Sequence, residues 1–175
     1  MFLQNDNITI RNATSEDASI LCKWWNDGKV MAHAGFPNGL GTTEEEIIQK
    51  ISGDTDGTCR RLIIEADAIP IGEMVYRNKG NAVAEIGIKI CNFSKQNKGY
   101  GTKLLSMLIN ALFMDLGYKK IVLDTNLNNL RAQHVYEKIG FKKLRVNIDA
   151  WKNQQGEYQS FIDYELEEKD FNYFS

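Results

Sequence analysis

The sequence predicts a single α/β (α+β) domain, a mixed central sheet of about six or seven strands flanked by about four helices. Three observations predict it. Residues 61–90 hold three apolar or alternating runs divided by turn residues, the pattern of an antiparallel meander. An amphipathic helix then runs straight into an apolar strand, which implies a parallel strand–helix–strand crossover, right-handed by strong precedent. Two more runs, joined across a polar turn containing glycine, close the chain as a hairpin.

Taken in order, Ile8-Thr9-Ile10-Arg11 reads as a short strand, and Thr14 with Asp17 three residues on marks a helix start leading into Ala18 to Asn26. Gly28 is placed to end that helix. Trp24 and Trp25 are adjacent on it, so helix geometry predicts that they cannot both face the core. Ala34 to Gly41 carries three glycines and a proline in eight residues, which is a loop. Thr43 with Glu46 forms a capping box for a helix through about Ile51. The meander follows as Arg61 to Glu65, Ile71 to Tyr76 and Ala82 to Ile90, with turns at Asp67 to Pro70 and Asn78 to Asn81. Leu104, Leu105, Leu108, Ala111 and Leu112 then repeat at helical spacing until Gly117. Ile121-Val122-Leu123 is a buried strand, and a second helix runs from about Asn129 to Ile139 with Gly140 as its cap. Leu144 to Trp151 and Tyr158 to Leu166 form the closing hairpin.

A chain of 175 residues fits one domain, here residues 1–175 with a core over about 8–167, and can bury about two-thirds of its unfolded surface. The composition, 43% hydrophobic and 25% charged, is that of a globular protein. Cys22, Cys59 and Cys91 are odd in number and widely spaced, so neither a disulfide framework nor a cysteine zinc site is expected. His33 and His134 are too far apart to suggest a metal, and none is expected. No apolar run approaches the roughly 18 residues of a membrane span, and the N-terminus lacks a signal pattern, so a cytoplasmic protein is expected. A net charge of −2 argues against nucleic acid or an anionic membrane as partner, since both demand a basic footprint. Exposed edges of a mixed sheet leave room for a homodimer.

The informative string is Gln96-Asn97-Lys98-Gly99-Tyr100-Gly101, between a strand and a helix. A glycine-rich turn there aims successive backbone N–H groups at one spot, with the positive end of the helix dipole behind them. Two uses fit it: a cradle for an anion such as a pyrophosphate, or a tight turn of the chain. Other phosphate motifs fail, because Thr102-Lys103 follows Gly101 in place of a lysine and a hydroxyl residue, and residue 104 is no glycine. Of the nearby lysines, Lys98 lies inside the loop, while Lys103, Lys119 and Lys120 read as a solvated face.

Gln96, Gly99 and Gly101 satisfy a Q/R-x-x-G-x-G/A pattern, and Asn129, Ala132, Tyr136, Gly140 and Phe141 satisfy N-x-x-A followed by Y-x-x-x-G-F. On these motifs the chain resembles the GNAT superfamily of acetyl-CoA-dependent N-acetyltransferases, over nearly its whole length. Trp24-Trp25-Asn26-Asp27 makes it similar to the branch that acetylates ribosomal-protein N-termini and related small amines. The resemblance implies acetyl-CoA as co-substrate, held by Ile88, Lys89 and Ile90 of the strand before the loop, by Gln96, Asn97, Lys98, Gly99, Tyr100, Gly101 and Thr102, and by Asn129. In the family that strand is splayed and bulged, here around Gly87, and its N–H groups stabilise the oxyanion.

The acceptor implied is a primary amine, a protein N-terminus or a small molecule. An alkylamine is neutral in only about one molecule in 2,500 at pH 7, so a base is needed. Glu85 is the first candidate, with Asp124 the second, acting directly or through water. Tyr136 is the implied acid for the departing thiolate, and helical spacing suits a core aromatic equally. Asn129 either bonds the pantetheine or caps its helix. The loop after the first helix and the final hairpin would shape the acceptor site, with Trp25, Phe36 and Trp151 as contacts and Asp149 and Glu157 as acidic groups suited to a cationic amine. A reading from another class is a non-catalytic acyl-CoA sensor or scaffold.

Overall fold

The computed structural model describes residues 1–96 and 98–175. Its strands are β1 (Phe2–Asn5), β2 (Ile8–Asn12), β3 (Cys59–Ala66), β4 (Ile69–Asn78), β5 (Val83–Ile90), β6 (Lys120–Asn126), β7 (Lys142–Lys152) and β8 (Tyr158–Glu167). Its α-helices are α1 (Ala18–Trp25), α2 (Gly28–Met31), α3 (Glu44–Ser52), α4 (Tyr100–Met114) and α5 (Leu130–Ile139). The strands form one sheet in the order β1-β2-β3-β4-β5-β6-β8-β7, with β5 and β6 parallel and the other neighbours antiparallel.

The meander, the crossover through α4 and the final hairpin stand where the patterning puts them. The strand and helix counts are each one higher than expected. β1 was not anticipated because its four residues alternate only between exposed and half-buried. It is added by a turn at Asp6 and Asn7, with Asp6 at φ 53°. Gly28 does not end α1 either. The C-cap there is Asn26, and Gly28 opens α2 because the Asp27 side chain accepts from the Lys29 N–H at 2.8 Å.

The first turns are held as the capping patterns predict. Asp17 accepts from the Thr14 N–H at 2.8 Å and takes two bonds from Arg11, both 2.8 Å, while Arg11 also donates to Glu65 at 2.8 Å. Thr43 and Glu46 cap α3 reciprocally at 3.3 Å.

Each face of the sheet is covered. One carries α4 and α5 over a core that includes Ile10, Leu62, Ile64, Tyr76, Ile86, Leu104, Leu108, Ile121, Leu123 and Tyr164. The other carries α1 and α3 over a smaller core of Leu21, Trp24, Trp25, Met31, Ile47, Ile63 and Cys91. Both tryptophans are buried, Trp24 at 7% and Trp25 at 8% exposure, against the expectation from helix geometry. The reason is that α1 is covered on more than its sheet-facing side. Phe36 and Leu40 fold over it, and the Leu40 N–H donates to the Trp25 carbonyl at 2.8 Å.

Candidate active site

The site originates in a fork between the two parallel strands. β5 and β6 pair only from Val83 to Glu85 against Lys120 to Val122. Beyond that, β5 stays registered with β4 through Ile90, while β6 stays registered with β8 from Leu123 through Asn126. The strands therefore diverge, and the freed edge of β5 loses its strand partner. The β4–β5 register runs unbroken past Gly87, so the bulge expected there is absent and the splay alone opens the edge. The fork widens into a cavity of about 620 Å³.

At its mouth stands the glycine loop. Gly99 has φ 80° and precedes α4 as its N-cap residue. A Cβ at Gly99 or Gly101 would meet no atom within 4 Å, so the space in front of both is open, as an anion held by N–H groups at a helix N-terminus requires. Gln96 ties the loop to the strand by donating to the Ile90 carbonyl at 2.8 Å, and the Arg131 guanidinium lies 3.5 Å from its Oε1. Ile88, Lys89, Ile90, Gln96, Gly99, Tyr100, Gly101, Thr102 and Asn129 all line the cavity. Asn129 accepts from the Ala132 N–H at 3.2 Å, so it caps α5 and faces the cavity at once. Lys98 is exposed and outside the lining, and Asn97 lies outside the described residues. Lys103, Lys119 and Lys120 pair with Asp6, Glu168 and Glu165 outside the cavity; Lys119 is exposed, while Lys103 and Lys120 are half-buried.

The structure brings Asp124 and Tyr136 to this cavity and keeps Glu85 from it. Glu85 sits in the paired stem of the fork, bound to Arg77 at 3.0 Å and Lys79 at 3.2 Å. Asp124 lies two residues past Val122, the last position of β6 paired with β5. Desolvation in the cleft raises its pKa above the usual 3.8, and the carboxylates of Glu85 and Asp163 push the same way. Tyr136 is buried, packed edge-on to Phe141 and Tyr164, and its hydroxyl is pushed up to about 12, by burial first and by Asp124 second. It is thus both a core aromatic and a wall of the cavity.

The three residues expected at the acceptor lie outside the lining. Trp25 is buried, and its Nε1 donates 2.9 Å bonds to both oxygens of Glu73. Glu73 is itself buried and accepts from Lys89 Nζ at 2.9 Å. Phe36 packs into the core under α1. Trp151 stacks on Gly35, where a Cβ would stand 1.9 Å from its ring. The hairpin tip also holds the loop after α2: the Asn38 N–H donates to Gln154 at 2.9 Å, and Gln154 donates to the Gly39 carbonyl at 2.8 Å. These contacts brace the wall that carries Lys29, Val30, His33 and Ala34 into the cavity. The segment from Trp25 to Gly41 is where the sequence places the acceptor, but Lys29, Val30, His33 and Ala34 were not picked out as its contacts, and neither were Asn126 and Arg131. Among the described residues, no group of three or more His, Cys, Asp or Glu could hold a metal.

Known proteins share this chain's sequence family and fold. The family model for the acetyltransferase (GNAT) domain matches residues 7–142. An aminoglycoside N(6')-acetyltransferase type 1 of Klebsiella pneumoniae is 28% identical over 152 residues, covering 79% of this chain and 76% of that protein. Among solved structures, the fold is shared with a spermidine N-acetyltransferase of Vibrio cholerae in complex with CoA and spermine, at TM-score 0.82 and 24% identity over 95% of this chain and 98% of that one. It is shared too with RimL, a ribosomal L7/L12 alpha-N-protein acetyltransferase in complex with coenzyme A, at TM-score 0.83 and 16% identity over 95% and 98% of the chains.

Proposed function

The chain belongs to the acetyltransferase (GNAT) domain family, and from that premise we propose that its fork is the active site of an N-acetyltransferase that moves an acetyl group from acetyl-CoA to a primary amine. The carrying observation is that one cavity is lined by the glycine loop, the free edge of β5, a carboxylate of raised pKa and a buried tyrosine. A sensor or scaffold would need the first two alone.

The coenzyme, when bound, supplies an acyl thioester activated for attack. The N–H groups around Gly99 and Gly101 hold its pyrophosphate, and the freed edge at Ile88 to Ile90 pairs with the amides of the pantetheine as a strand would. Tyr100, Thr102 and Asn129 flank that path. Asp124 takes the proton of the incoming ammonium, directly or through one water, and its raised pKa makes it a stronger base than an ordinary carboxylate. Glu85 acts from the stem of the fork by its charge on Asp124. The amine then forms the N–C bond as the C–S bond breaks. N–H groups of β5 steady the carbonyl oxygen, and the Tyr136 hydroxyl protonates the leaving thiolate while the acylated nitrogen gives up its second proton, which restores the Tyr136 hydroxyl directly or through water. No metal enters the scheme. We read residues 1–175 as one catalytic domain of the cytoplasm, with neither nucleic acid nor membrane as partner. Its net charge of −2 supports this, and no helix among the described residues is long and apolar enough to cross a membrane.

A homodimer is proposed along β7. This edge strand leaves Leu144, Val146 and Ile148 exposed on alternate positions. A second copy laid along it would cover these apolar side chains and an open edge.

The deciding experiment is thiol release from acetyl-CoA across a panel of amines. Turnover that Asp124→Asn lowers by about 10²-fold or more, with acetyl-CoA binding retained, is expected for a general base. Equal turnover in the variant would remove Asp124 from the chemistry.

A further inference from the structure

The two faces of the sheet divide the cavity between its two reactants. Along β5, Ile86, Ile88 and Ile90 point into the core under α4 and α5, while Gly87 and Lys89 alternate onto the face of α1 and α3. Along β6, Leu123 joins the first core and Asp124 and Asn126 take the opposite face. The glycine loop, Asn129 and Tyr136 belong to α4 and α5, which is the coenzyme half. The acceptor half is therefore walled by Lys29, His33, Lys89, Asp124 and Asn126.

That wall carries more basic groups than acidic ones. It holds one carboxylate, Asp124, and the chemistry already uses it. Against it stand two ammonium groups and an imidazole. Lys89 is balanced by the buried Glu73 behind it. Lys29 is exposed and makes no ion pair among the described residues. The carboxylates that could have turned the site acidic are committed elsewhere: Asp163 accepts from Arg145 and Asn147, and Glu157 accepts from Asn153 in the hairpin turn. Asp149, like these, is absent from the lining. A polycation entering here would meet Asp124, a repelling lysine and, behind Asp124, only carboxylates that are already paired, Glu85 with Arg77 and Lys79 and Asp163 with Arg145.

Resting on the acetyltransferase reading, we propose that the acceptor is a primary amine bearing an anionic group, a carboxylate or a phosphate, close to its nitrogen. Lys29 receives the anion and Asp124 the amine, so the two charges of the wall orient one zwitterion. His33, beside Lys29 on the same short segment, adds a hydrogen-bond donor to the anion.

The test uses matched pairs that differ only in the anion: an α-amino acid against its amide, and an amino sugar phosphate against the amino sugar, with spermine and kanamycin as polycations. Thiol release from acetyl-CoA is measured for the native chain and for Lys29→Arg, Lys29→Ala and Lys29→Glu, each first checked for thermal stabilisation by acetyl-CoA. Expected is a kcat/KM at least tenfold higher for the anionic member of one pair. Lys29→Arg should keep the preference, Lys29→Ala should erase it and Lys29→Glu should invert it. Which pair responds tells a carboxylate from a phosphate. Faster turnover of spermine or kanamycin, or no preference in either pair, overturns the proposal and leaves the acetyltransferase reading standing. Stabilisation by acetyl-CoA with no thiol release from any amine overturns both.

Discussion

At the scale of single residues, the proposed chemistry rests on side chains whose ionisation the fork has moved. Asp124 is the clearest. Its raised pKa means that, between the ordinary 3.8 and the raised value, the folded chain holds a proton that the unfolded chain releases. Stability therefore falls as pH rises through that window, and above it the cost is complete. Asp124→Asn should leave the fold at least as stable at pH 7 in denaturant titration while turnover collapses. Tyr136→Phe should keep the edge-on packing with Phe141 and Tyr164, and so bind acetyl-CoA, while kcat falls about 10²-fold or more. Glu85→Gln serves as the contrast: a carboxylate tied to Arg77 and Lys79 away from the cavity should change turnover far less than Asp124→Asn does. Glu85 and Asp124 were both legible as candidates. The order proposed here, Asp124 before Glu85, was not, because it rests on where the parallel pairing stops, and strand pairing is a contact between distant segments.

At the scale of elements, local patterns read well wherever the signal was itself local. The Thr43–Glu46 capping box, the apolar repeat of α4 and the turn residues of the meander each act within a few positions, and each stands as expected. Elements defined by their neighbours were harder. α2 is a single turn held by the Asp27 cap, and β1 is an edge strand with little burial. The two tryptophans of α1 are buried together because the loop after α2 folds over them, which no helical period records. Edge strand β7 carries a prediction of its own. If it joins two copies, Val146→Lys with Ile148→Lys should shift the protein to monomer in light scattering and leave acetyl-CoA binding unchanged. A native chain that is already monomeric would refute the dimer.

At the scale of the whole molecule, stability should respond to acid and to coenzyme in separable ways. Asp17 is buried against Arg11, whose bonds hold its carboxyl below the usual 3.8. A depressed pKa contributes stability that is complete above that ordinary value and is lost as pH falls through the lowered one. Asp17→Asn should cost about 2 kcal/mol at pH 7 and flatten the acid limb of the stability profile. Acetyl-CoA at 100 times its Kd should add about 2.7 kcal/mol, roughly 5 to 10 °C in a domain of this size, and Gly99→Glu should abolish the shift by filling the anion cradle and straining a left-handed position. No shift in the native chain would refute the glycine loop as the coenzyme site.

The sequence by itself determined the order of elements, the glycine loop and the motif tyrosine and asparagine, because capping, turns and amphipathic periods are encoded within a few residues of one another. Only the tertiary structure decided how far β5 and β6 stay together. That divergence turned Asp124 into the cavity and kept Glu85 outside it, while the packing of α1, the loop after α2 and the hairpin tip buried Trp25 against Glu73 and set Lys29 and His33 as the facing wall. Each of these depends on side chains far apart in the chain meeting across one sheet.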